Sequence, residues 1–152
     1  MKTKILWGWA ALALIYILLL GAGNFIQWQA AQAFDQAIDP VKKVPTDREK
    51  LEAWKNGMAV SERMKKASRI LQIVILLWIG IGLLAGKCTL QESLFRIWLP
   101  ILAAAVICIP IYLKSGDHWS NYYLDMMIGT VYTAAATVIF FVAARIQRNR
   151  KA

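Results

Sequence analysis

The chain has 152 residues, of which 59% are apolar and 18% charged, with a formal charge of +9 and a mean hydropathy of +0.47. That length suits one domain, but the apolar content is high for a soluble one. The basic residues flank apolar runs, where Lys and Arg set orientation and meet lipid phosphates. This excludes a soluble nucleic-acid-binding module, which would need a basic, aromatic-interleaved face of its own.

Four uncharged runs, 5–23, 70–86, 97–113 and 126–144, hold 19, 17, 17 and 19 residues. A hydrocarbon slab ~30 Å thick takes about 20 residues of helix, with a working range of roughly 17 to 25. The runs predict an all-α fold: an integral membrane four-helix bundle, one domain over 1–152. Residues 24–69 form a bent helical hairpin outside the bilayer between spans one and two.

In the first run, Lys2 and Lys4 precede an apolar stretch ending Gly21-Ala22-Gly23, the order of residues in a secretory leader. Its apolar core is longer than the usual ~7 to 15 residues and carries Trp7, Trp9 and Tyr16, so it reads as a span. No helix breaker follows Gly23 until Pro40, and Trp28, Ala31, Phe34 and Ile38 recur at helical spacing. The helix is therefore expected to leave the membrane and rise ~24 Å above it, at 1.5 Å per residue. Pro40 and Pro45 then bracket a short basic turn containing Lys42 and Lys43.

The returning segment opens on Thr46-Asp47-Arg48-Glu49, a capping-box pattern. Projected at 100° per residue, Leu51, Trp54 and Met58 share one face, while Val60, Met64, Ala67 and Leu71 share another roughly 140° away. Asn56-Gly57 lies at the switch, which predicts a short helix over 47–56, a break at Gly57 and a second helix running into span two. Arg63, Lys65, Lys66 and Arg69 crowd the entry to that span and are candidates for lipid headgroups, their stems snorkelling from the face opposite Met64, Ala67 and Leu71.

Gly86 stands where a left-handed helix stop is wanted, and Thr89-Leu90-Gln91-Glu92 is a second capping box. Gly82 and Gly86 make a small-xxx-small pair through which a homo-oligomer could form, and Gly129, Thr133 and Ala136 or Thr137 make a comparable ridge in span four. In span three, Pro110 removes a backbone donor and is expected to bend the helix.

Lys2 and Lys4 before span one, and Arg145, Arg148, Arg150 and Lys151 after span four, place both termini in the cytoplasm by the positive-inside rule. The four cations from Arg63 to Arg69 argue the other way against Lys87 and Arg96 beyond span two; the first helix usually dominates, and the last agrees with it. The chain has no Asn-x-Ser/Thr glycosylation site, which leans toward a bacterial cytoplasmic (inner) membrane.

No charge lies inside any run, which argues against proton-coupled transport. A single histidine cannot supply the usual zinc or two-ligand haem sets, so no metal, cofactor or catalytic residue is expected. Cys88 and Cys108 are 20 positions apart on one helix, ~30 Å, beyond the reach of a disulfide. The reading is a non-enzymatic inner-membrane protein acting through protein–protein interaction, of an accessory, assembly or immunity type. Besides membrane lipids, its partner is a protein and not a nucleic acid. It would dock through its extracytoplasmic hairpin, with Phe34, Lys42, Lys43, Leu51, Trp54 and Met58 as contact candidates. The alternative is a small membrane enzyme or carrier for a lipid-like amphiphile, with a polar mouth of Asp117, His118, Tyr122, Tyr123 and Asp125.

Overall fold

A computed structural model describes residues 2–38, 47–114 and 119–149, with side chains from Leu6 in the first stretch and from Leu124 in the last. Four helices follow one another: α1 (Lys2–Ala37), α2 (Arg48–Leu84), α3 (Leu90–Lys114) and α4 (Trp119–Asn149). Each is long and apolar enough to cross a membrane. At 1.5 Å per residue, the 36 residues of α1 and 37 of α2 extend ~55 Å, far more than a ~30 Å slab. Both are therefore longer than one crossing requires.

The packing is inverted relative to a water-soluble fold. Large apolar side chains such as Leu18, Leu77, Ile81, Leu102, Val106, Val131, Val138 and Phe141 are exposed, whereas the most deeply buried side chains are Asn24, Ser61, Ser68, Ser93, Cys108 and Thr133. Small and hydroxylated residues let helix backbones approach and exchange hydrogen bonds, while lipid covers the apolar exterior. The interior changes character along its length. Towards the α2–α3 turn it is apolar, built on Ile75, Ile79, Leu83, Ile97, Ile101 and Phe140; towards the α1–α2 end it is polar, with Asn24, Gln27, Ser61, Lys65, Ser68 and Asp125.

Helix α2 does not break at Gly57; it runs unbroken from Arg48 to Leu84. Gly57 serves a different purpose, because a Cβ built there would lie 2.8 Å from the Ala30 Cβ. The α1 and α2 backbones pass close together there, and a residue without a side chain fits. The helix is capped by Asp47, whose carboxylate accepts from the Lys50 amide at 3.1 Å. This is one residue later than the expected Thr46, which lies outside the described residues.

The turn between α2 and α3 follows the expected devices. Gly86 has φ +64°, and the amides of Gly86 and Lys87 donate to the carbonyls of Leu83 and Gly82, closing a complete left-handed stop. Thr89 and Glu92 exchange side-chain-to-amide hydrogen bonds at 3.0 and 3.2 Å, the reciprocal pattern of a capping box. Gly86 thus lies beyond the helix end and cannot share a helical ridge with Gly82, which removes the geometric basis expected for self-association through that pair. The ridge on α4 is internal: Thr133 and Ala136 are buried, and the Gly129 carbonyl accepts from Gln72 Nε2 at 2.7 Å. Helix α3 continues through both Pro100 and Pro110. At the opposite end from the hairpin, Trp9 Nε1 donates to the Arg96 carbonyl and Gln147 Nε2 to the Leu84 carbonyl, tying α1 to α3 and α4 to α2.

Candidate functional site

The buried stripe of α2 carries Ser61, Lys65, Ser68 and Gln72 before it turns apolar at Ile75. Helical spacing of four and three residues keeps these side chains on one face, against α1 and α4. On α1, Gly23 makes room for this face, since a Cβ there would lie 3.1 Å from Lys65 Cγ. Ser61 Oγ donates to the Gly23 carbonyl at 2.8 Å, fixing the two helices in register. About three turns further along α2, Gln72 Nε2 bonds the Gly129 carbonyl and Thr133 Oγ1 of α4. Between these two anchors lies the ionic part of the site.

Asp125, at the start of span four, receives two cations from α2. Lys65 Nζ approaches its Oδ2 at 2.8 Å, and Arg69 Nη2 donates to its Oδ1. Lys65 also donates to Gln27 Oε1 of α1. The side chains of Lys65 and Asp125 are 7% and 6% exposed, and that of Arg69 is 42% exposed. Two cations thus share one carboxylate at a place where neither Lys65 nor Asp125 reaches water. The Nε of Arg69 is buried and has no hydrogen-bond partner among the described residues; the same holds for Asn24 Oδ1, whose amide nitrogen donates to Cys108 Sγ.

The cluster forms the floor of a groove of about 830 Å³. Its walls combine Trp54, Met58 and Ala59 with Lys55, Lys66 and Glu62. Comparison with protein-family models, with characterised proteins and with solved structures finds no match for this chain. The reading of the site therefore rests on its chemistry.

The residues singled out by the sequence divide accordingly. Trp54 and Met58 line the groove, but Trp54 also stacks on Phe34 with ring centroids 4.7 Å apart, so this pair helps to hold α1 against α2. Leu51 is half-buried on the same side of α2. Lys42, Lys43, Asp117 and His118 lie outside the described residues, as do the side chains of Tyr122 and Tyr123. Of the four headgroup candidates, Arg63 and Lys66 are exposed. Lys65 and Arg69 instead turn inward to Asp125, so the snorkelling expected of them is not what the structure has. Asp125 belongs to this cluster.

Gln27, Asn24 and Ser61 were absent from the sequence reading as site residues. The available signal was the polar run Ser61, Lys65, Ser68, Gln72 at the spacing of one helix face. Among the described residues no three His, Cys, Asp or Glu side chains gather as metal ligands. Cys88 and Cys108 are free thiols, the first accepting from Arg96 Nη1 at 3.1 Å.

Proposed function

We propose that this is a non-enzymatic integral membrane protein, a four-helix bundle that acts by binding, and that the groove on its α1–α2 hairpin is the recognition site. The observation that carries this reading is the Lys65–Asp125–Arg69 cluster at the groove floor. Buried ion pairs add little to stability compared with an apolar packing of the same volume, so three charges packed together between helices are better explained by use than by stability. The exposed cations and apolar side chains around the cluster suit a partner that is both acidic and apolar.

The hairpin is extracytoplasmic in this proposal, with both termini in the cytoplasm of a bacterial inner membrane. The hairpin end of the chain holds ten Lys and Arg against eight Asp and Glu, and the other end eight against one. Two of the cations that argued against this orientation, Lys65 and Arg69, are engaged by Asp125. With those two set aside each end keeps eight Lys and Arg, and the first helix, flanked by Lys2 and Lys4 at the end that carries the termini, decides the orientation.

A photo-crosslinking residue placed at Ala59 or Lys66, in cells expressing the full chain, tests the recognition site. The expected result is a discrete adduct at both groove positions and none at Glu52, which lies on α2 outside the groove. Equal labelling at all three positions, or none at the groove, would refute the reading.

A further inference from the structure

The groove does not end at Arg69. On α2, Glu62, Lys66 and Arg69 of the groove are followed at the same three- and four-residue spacing by Ile73, Leu76, Gly80 and Leu83. These line a second, apolar groove of about 520 Å³ between α2 and α4. Across it, α4 presents Tyr132, Ala136, Ile139 and Ala143, continuing the stripe that begins with Asp125. One seam between two helices is thus cationic and polar outside the hydrocarbon and wholly apolar within it, and the change falls at Arg69, immediately before the apolar run 70–86. The apolar part extends from Ile73 to Leu84, ~16 Å of helix. That is the depth of one leaflet of a ~30 Å hydrocarbon core.

The upper part of the seam is short of negative charge. Asp125 answers two cations, Lys66 stands exposed beside them, and Glu62 is the other acid on the groove wall. Arg69 directs one terminal nitrogen at Asp125, while its buried Nε has no partner among the described residues. A guanidinium 42% exposed, with Nη2 on Asp125, beside the exposed ammonium of Lys66 is an arrangement that can hold phosphate oxygens.

We propose that the seam binds an anionic phospholipid, its phosphate held by Arg69 and Lys66 at the groove floor and one acyl chain laid in the α2–α4 groove. This rests on the reading of the groove as a recognition site and names what occupies its lower part. Basic pockets between membrane helices take such headgroups, and the apolar groove beneath supplies what a free anion could not use.

The test uses the full-length protein, reconstituted in vesicles of equal phosphatidylcholine and phosphatidylglycerol, extracted, and examined by native mass spectrometry. Phosphatidylglycerol is expected to be retained over phosphatidylcholine by about tenfold, because both carry the phosphate but the choline ammonium is repelled by the cations Lys65, Lys66 and Arg69. Arg69→Gln is expected to abolish the preference. Lys66→Gln and Ala135→Leu alter exposed positions and leave the buried cluster intact; the first should weaken the preference and the second lower lipid retention by filling the apolar groove. Arg63→Gln, on the same helix but outside the groove, should change nothing.

Equal retention of the two lipids would overturn the proposal. So would a loss in Arg63→Gln equal to that in Arg69→Gln, or displacement of the lipid by inorganic phosphate alone, which would mark a free-anion site. A polypeptide adduct from the crosslinker at Lys66 would leave the recognition site standing and overturn its lipid occupant. Retained phosphatidylglycerol with no groove-specific adduct would do the reverse.

Discussion

Replacement of Asp125 by Asn removes one charge from a cluster of three and tests whether that cluster is paired as described. Lys65 and Asp125 are both nearly inaccessible to water, at 7% and 6% exposure. Loss of one partner from a buried pair typically costs ~3–5 kcal/mol, because the other charge is left uncompensated. Gln27 Oε1 still accepts from Lys65, which places Asp125→Asn near the lower end, about 3 kcal/mol. Arg69, 42% exposed, can turn to water and adds no more than ~1 kcal/mol. Lys65→Met should be milder, since Asp125 keeps Arg69. The double variant Lys65→Met/Asp125→Leu should return to within ~1 kcal/mol of the parent, as apolar replacements of buried pairs do. Unfolding free energies from denaturant titration in detergent, followed by tryptophan fluorescence, supply these values, and Asp125→Leu alone, added to the set, closes the cycle that gives the coupling between the two positions. If Asp125→Asn costs less than ~1 kcal/mol, Lys65 reaches solvent; if Lys65→Met is as harmful as Asp125→Asn, Arg69 does not hold Asp125; either result refutes the buried cluster described.

Three further outcomes follow from the helix contacts. Gly57→Ala should destabilise by about 1–2 kcal/mol through overpacking against Ala30, whereas Gly8→Ala, where nothing lies within 4 Å, should be neutral or stabilising by up to ~1 kcal/mol; the same titration reads both. Gly86→Ala forces a side chain into φ +64° and should cost ~1–2 kcal/mol. In a background with Cys88 and Cys108 replaced, an impermeant maleimide added to intact cells should label Lys55→Cys and spare Arg148→Cys; labelling of the second alone would invert the proposed orientation.

The apolar and capping signals were legible in the sequence. Run length alone located four helices, because the hydrocarbon thickness sets a length that few other structures share. Gly86 and Thr89–Glu92 act locally, so their roles depend on neighbours a few positions away and survive any tertiary arrangement. The ion cluster was hidden for the opposite reason. Asp125 lies 60 and 56 positions from Lys65 and Arg69, and each taken singly resembles an interfacial residue at the end of a span. Only the antiparallel pairing of α2 with α4 brings them together.

The misplaced break at Gly57 and the misplaced Lys65 share one physical cause. Apolar residues on α2 do change face after Met58, and equating apolar with buried turns that change into a kink. The contact line itself never shifts: Leu51, Trp54, Met58, Ser61, Lys65, Ser68, Gln72, Ile75, Ile79 and Leu83 follow one another at intervals of three or four, the near-3.5 period of two helices packed side by side. Along that line the chemistry changes from apolar at the hairpin tip, through polar and charged, to apolar again inside the hydrocarbon. In a medium as apolar as the side chains themselves, burial no longer selects for hydrophobicity. What it selects is side chains that can be small or can be paired, so the contact period is a better guide to the buried face than hydropathy. A polar stretch on that period is then where a site should be sought. On α4 the same period gives Asp125, Gly129, Thr133, Ala136 and Phe140, and its polar end meets Lys65 and Arg69 of α2.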